Sequence, residues 1–226
     1  SKEHHSIGKV DVKTNKVTKY TPPNPDARPR RIKFDSQGNL YVADTGNNMV
    51  MRLATDGSLA AIAGNGKGAF SGDGGPALRA SLHDPGGLAV DAAGNLYIAE
   101  RDNHVVRKVD MKTGIISTAA GTGKAGFSGD GGPGNQAMLN QPHSIFLDRD
   151  GTLLICDIQN HRIRRLNLST GKIEKVGSPA EIFERPANPF VMDFLGNVNV
   201  FHGSVKGDRA AIDTLASVPG RIAARR

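Results

Sequence analysis

The chain has 226 residues, with 29 Lys and Arg against 22 Asp and Glu, and 28 Gly and 12 Pro but no Trp. That length suits a single all-β domain whose many turns are carried by Gly and Pro and whose core comes from Val, Ile, Leu and Ala. No apolar run approaches the roughly 20 residues of a membrane-spanning helix, and the one cysteine, Cys156, excludes an intrachain disulfide.

The net charge of +7 admits an anionic partner. Its carriers are dispersed, with local clusters only at Arg28, Arg30, Arg31 and Lys33, at Arg162, Arg164 and Arg165, and at Arg221, Arg225 and Arg226. A solvated surface is therefore the first reading and an anion-binding face the second. Cys156 ends the apolar run Leu153-Leu154-Ile155-Cys156 and reads as a small buried hydrophobe, not a nucleophile.

In chain order, residues 1–6 have no apolar signal-peptide core. Residues 5–17 align with 104–116 and supply the outer half of a four-strand unit. The first full unit starts at Arg28-Pro29 and runs through Phe34-Asp35, Gly38-Asn39-Leu40-Tyr41-Val42-Ala43-Asp44 and Asn47-Asn48-Met49-Val50. Fifty-six residues on, it returns as Asp84-Pro85-Gly86-Gly87 through Val90-Asp91, Gly94-Asn95-Leu96-Tyr97-Ile98-Ala99-Glu100 and Asn103-His104-Val105-Val106. Fifty-seven residues later it stands as Gln141-Pro142-His143-Ser144 through Leu147-Asp148, Gly151 to Asp157 and Asn160-His161-Arg162-Ile163. Residues 185–198 echo only its first half. Each copy predicts four short strands separated by turns in which Gly supplies positive φ, and such sheets must stack radially to bury both faces.

This pattern closely resembles the NHL repeat family over residues 28–177, which implies an all-β propeller of four-stranded antiparallel blades. The expected divisions are 1–20 (outer half of a preceding blade), 21–77, 78–134 and 135–180 (three blades, the first two with Gly-rich loops), and 181–226 (a degenerate blade and basic tail). Four to four and a half blades predict an incomplete or open ring. A fragment of a larger protein is the favoured explanation, against closure by a second copy or decay of blades.

The Gly-rich loop 64–76 recurs at 121–133, with Phe70-Ser71-Gly72-Asp73 matched by Phe127-Ser128-Gly129-Asp130. It lacks the Gly-Lys-Ser/Thr ending of a phosphate loop. Many bacterial NHL proteins are similar in carrying such an insertion, so it reads as an inter-blade structural loop, with Asp73 and Asp130 as calcium candidates. Asp44, Glu100 and Asp157 share one repeat position, as do Asn47, Asn103 and Asn160, and likewise His104 and His161. Repetition assigns all of these to turn and strand-end hydrogen bonding, because an acid–base pair needs unlike environments.

Positions that differ between copies are the better site candidates. After the repeated Pro they are Arg30-Arg31, Gly86-Gly87, His143-Ser144 and Ala187-Asn188. A ligand at that mouth of the channel would meet Arg30, Arg31, His143 and Ser144. Residues 7–20 and 25–32 also resemble the virginiamycin B lyase group, which implies a magnesium-dependent elimination with His143 and Glu100 as catalytic candidates. The family's Trp-Phe-Thr-Glu strand ends are replaced here. The leading expectation is thus a non-catalytic propeller that binds a protein or small-molecule ligand, in an exported bacterial protein. A metal-dependent lyase or hydrolase, using Mg or Ca, is the alternative. Nucleic-acid binding ranks third, because no aromatics flank the basic clusters.

Overall fold

A computed structural model of the chain describes residues 7–10, 17–20, 28–177, 201–206 and 209–215. The chain divides into two compact units, Ser1–Ile182 and Phe183–Arg226. The first holds an antiparallel hairpin, β1 (Ile7–Val10) with β2 (Val17–Tyr20), and three four-stranded antiparallel sheets. These are β3–β6 (Pro29–Phe34, Leu40–Asp44, Met49–Leu53, Leu59–Ala63), β7–β10 (Pro85–Val90, Leu96–Glu100, Val105–Asp110, Ile115–Ala120) and β11–β14 (Pro142–Leu147, Thr152–Asp157, Arg162–Asn167, Ile173–Gly177). In the second unit the described residues form one hairpin, β15 (Phe201–Lys206) with β16 (Arg209–Leu215). The echo of a blade at 185–198 and the basic tail lie outside the described residues.

Within each sheet the strands pair in sequence order, so each blade is a meander with its first strand innermost. The turn between the first two strands is fixed by an aspartate. Asp35 accepts hydrogen bonds from the backbone N–H groups of Gln37 and Asn39 and from the Tyr41 hydroxyl, and Asp91 repeats the Asn and Tyr contacts with Asn95 and Tyr97.

Alternation along the strands gives each blade two apolar faces. Tyr41, Ala43, Val50 and Ala63 of the first blade bury against Leu88, Leu96, Ile98 and Ile116 of the second. The second blade's other face, with Ala89, Tyr97, Ala99 and Val106, packs on Ile145, Leu153, Ile155 and Leu166 of the third. The expected propeller architecture is therefore present, and the described residues form three full blades that do not close a ring. Among the described residues no helix is long and apolar enough to cross a membrane.

Candidate functional site at the channel mouth

The innermost strand of every blade carries an extra residue close to its start. Pro29 pairs with Asp44 and Arg31 with Ala43; Pro85 pairs with Glu100 and Leu88 with Ile98; Pro142 pairs with Asp157 and Ile145 with Ile155. Each is a β-bulge, a device that re-aims side chains and is enriched next to functional sites. The residues that vary between blades lie in or beside these bulges: Arg30 and Arg31, Gly86 and Gly87, His143 and Ser144. A constant backbone irregularity thus presents changing chemistry to one end of the blades.

Arg31 and His143, 112 positions apart, meet there. The Arg31 guanidinium lies 3.2 Å from His143 Nδ1, and Ser144 Oγ lies 3.3 Å from the same nitrogen. Arg31, His143, Thr45, Asp84 and Gly86 line a cavity of about 350 Å³. Thr45 donates its hydroxyl to the Pro85 carbonyl at 2.8 Å, which ties the first blade to the second. Asp84 is held by Arg101 Nε at 2.7 Å. The Arg30 side chain lies outside the described residues. Gly86 and Gly87 have a packing reason as well: a Cβ on Gly87 would sit 2.7 Å from the Ile145 nitrogen and 2.8 Å from the His143 oxygen. Glycine here lets the inner strands of the second and third blades touch.

Glu100 stands elsewhere. It is fully buried at the end of β8 and accepts from the His83 backbone N–H (3.0 Å) and Asn103 Nδ2 (2.6 Å), with Arg107 at 3.5 Å. Burial, which outweighs the attraction of Arg107, pushes its carboxyl up to about 7. The third blade repeats the arrangement: buried Asp157 accepts from Asn140 N–H (2.7 Å) and Asn160 Nδ2 (2.7 Å), with Arg164 at 3.4 Å. In the first blade Asp44 binds Arg28 N–H and Asn47 Nδ2, but the arginine position is held by Met51. His104 Nδ1 accepts the Gln141 N–H, and Asn48 does the same for Asp84, so this repeat position stitches each blade to the next. The pairing of Glu100 with His143 expected for a lyase is not met: Glu100 belongs to this buried clasp and does not line the mouth.

The Gly-rich loops complete the clasp. Gly74, Gly75 and Ala77 exchange backbone hydrogen bonds with Ile116 and Gly114, so the loop leaving the first blade runs beside β10, the outer strand of the second. Gly131, Gly132 and Gly134 do the same with Ile173 and Gly171 beside β14. Both loops cover strand edges that would otherwise present unpaired backbone. Asp73 reaches Arg107 at 2.6 Å and Thr118 at 2.6 Å; Asp130 reaches Arg164 at 2.7 Å. A guanidinium thus occupies the place expected for calcium at Asp73 and Asp130. Phe70 and Phe127 lie over the same arginines, at 5.1 and 5.0 Å.

The sequence reading missed Arg107 and Arg164, both fully buried. Their signal was available: an arginine four residues after the repeated Asn, in the two blades that receive a Gly-rich loop. It also missed Thr45 and Asp84 at the mouth. Mg²⁺ requires several oxygen ligands in octahedral array, and the mouth offers one carboxylate already held by Arg101. Among the described residues no three His, Cys, Asp or Glu side chains converge as a metal site. The donor set does not fit the metal of the lyase reading. Cys156 has its thiol pushed up to about 11 by burial, which keeps it protonated and unreactive.

Comparisons with known proteins agree with this architecture. The family model of the teneurin NHL domain matches residues 66–126. NHL repeat-containing protein 2 of Bos taurus is 29% identical over 177 residues, covering 74% of this chain and 24% of that protein. The sulfate/thiosulfate import ATP-binding protein CysA of Halalkalibacterium halodurans is 59% identical over 75 residues, 32% of this chain and 19% of that protein. A streptogramin B lyase structure superposes with a TM-score of 0.59 at 19% identity, covering 78% of this chain and 49% of that one. The chain therefore spans about a quarter of the first relative and about half of the lyase.

Proposed function

The chain is an NHL-repeat β-propeller, and we propose that it works as a non-catalytic binding module that holds a small-molecule or protein partner at the mouth around Arg31, His143, Asp84 and Gly86. The observation that carries this reading is the meeting of Arg31 and His143 at 3.2 Å, from bulges whose side chains differ in every blade. A propeller that keeps its frame constant and varies one rim is suited to recognition. Catalysis by elimination calls for a base beside a metal-activated substrate, and the carboxylate nearest in sequence pattern, Glu100, is spent inside a blade. We place the module in an exported bacterial protein. That location rests on the resemblance to bacterial NHL proteins alone.

Offered a cyclic streptogramin or a lactone with Mg²⁺, Ca²⁺ or Zn²⁺, the chain is expected to give no turnover. Compounds that bind should shift the NMR signals of Arg31, His143 and Gly86. Metal-dependent turnover that disappears in His143→Ala would overturn the proposal in favour of a lyase or hydrolase.

A further inference from the structure

Resting on that reading, we infer that the mouth takes an oxyanion, the carboxylate or the phosphate or sulfate group of a ligand, gripped by Arg31, and that protonation of His143 strengthens the grip. The argument begins with the Arg31–His143 contact. A guanidinium has five N–H donors and no acceptor, so the nitrogen 3.2 Å from it must offer a lone pair. His143 is therefore neutral in this contact, with its hydrogen on Nε2. Ser144 Oγ, 3.3 Å from the same Nδ1, is placed to donate to that lone pair as well.

The surrounding charges leave Arg31 uncompensated. Among the described residues it has no carboxylate partner. Asp84, on the cavity wall, is engaged by Arg101 at 2.7 Å, a cation it shares with Asp102 at 2.9 Å. Lys33, two residues along β3, adds a second cation and lies over the Phe146 ring. Cys156, which also senses Arg31, stays a neutral thiol. An exposed arginine steadied by a neutral imidazole keeps its full charge and four further N–H donors, which is the equipment for a carboxylate or a tetrahedral oxyanion.

The same contact makes the site sensitive to pH. An imidazole ordinarily titrates near 6.5. Once protonated, His143 carries N–H on both nitrogens, can no longer accept from Arg31, and repels it. The guanidinium is released toward the cavity, and a second positive charge stands beside it. An anion between the two is favoured by both changes.

The test uses the full chain with sodium sulfate, whose charge is constant between pH 5.5 and 7.5, and sodium acetate, which is mostly ionised over that range and is compared with sulfate at pH 7.5. Affinity is read from the Arg31 and His143 side-chain NMR signals. Sulfate affinity is expected to rise about tenfold from pH 7.5 to 5.5, a change typical of one added charge at a partly exposed site. Arg31→Ala should lower it about tenfold or more at both pH values, as loss of a charge-assisted pair does. His143→Asn keeps a side-chain acceptor but cannot titrate, so it should retain binding and lose the pH dependence. Glu100→Gln, in the buried clasp, should leave that dependence intact. Stronger response to sulfate identifies a tetrahedral oxyanion ligand, and stronger response to acetate a carboxylate. The inference fails if neither anion shifts these signals, if Arg31→Ala binds as well as the parent, or if His143→Asn keeps the pH dependence. Perturbation of the mouth by neutral or cationic compounds alone would sink the oxyanion while leaving the binding role standing. Metal-dependent turnover would remove that role itself.

Discussion

The buried clasp and the channel mouth lie on neighbouring strands of the same blades and obey opposite rules. In the clasp, Glu100 and Asp157 occupy one repeat position, Arg107 and Arg164 another, and each carboxylate and each guanidinium finds partners in the same blade or in the loop that crosses to it. At the mouth, on the strand paired with the clasp carboxylate, no two blades carry the same side chains, and the geometry of the bulge is what repeats. Repetition therefore marks what a blade needs in order to stand against its neighbour. Variation on a constant bulge marks what the molecule presents.

The comparison breaks most visibly if the arginines of the clasp are removed. Arg107→Ala would leave Glu100 buried without its cation and unfasten Asp73, Ser71 and Phe70, and so release the Gly-rich loop from β10. Removing one partner of a buried ion pair costs about 3–5 kcal/mol. Urea denaturation should show a loss of that size, with faster hydrogen exchange in β8–β10. Arg107→Met, which copies the first blade's Met51, should lose less because the thioether fills the space. A loss below about 1 kcal/mol for Arg107→Ala would mean that the clasp is not what holds the second blade.

A smaller effect concerns pH. Glu100 has its carboxyl pushed up to about 7 by burial, against an ordinary value of 4.5. Arg107 does not offset this, because its shorter contact, 2.6 Å, is to Asp73, and Asp73 itself repels Glu100. Between pH 4.5 and 7 the folded chain holds a proton that the unfolded chain has released. Its stability must then fall as pH rises through that window. The contribution is complete below about 4.5 and is lost by about 7, for a total of roughly 3 kcal/mol. Glu100→Gln should flatten that decline. A difference between parent and variant that is constant from pH 5 to 7 would show that Arg107 holds the carboxylate ionised after all.

Much of the frame was legible because blade physics is periodic. Strand alternation, the Asp and Gly of the turns and the repeated Asn each announce a local hydrogen bond, and three copies in register fix the blade. The mouth was half legible: variation pointed to Arg31 and His143, but no periodicity reports that side chains 112 positions apart will touch. Thr45 falls between the repeated segments, and Asp84 precedes the repeated Pro, whereas the varying positions compared are those that follow it. The Gly-rich loops read as structural, with calcium as the second possibility at Asp73 and Asp130, but the arginine partners of these carboxylates come from the neighbouring blade, 34 positions further on. Sequence adjacency carries no trace of that.

The smallest expected change sharpens the contrast from the other side. Arg31 is exposed, pairs with no carboxylate among the described residues, and contributes one hydrogen bond to a neutral imidazole. Arg31→Ala should therefore shift the unfolding free energy by no more than about 0.5 kcal/mol, as surface substitutions do. The paired case is Arg107, equally cationic but wholly buried. If Arg31→Ala instead costs as much as Arg107→Ala, the mouth is a structural latch between the first and third blades. Its variation would then reflect how each blade closes on another, and a binding role would have to be sought elsewhere on the propeller.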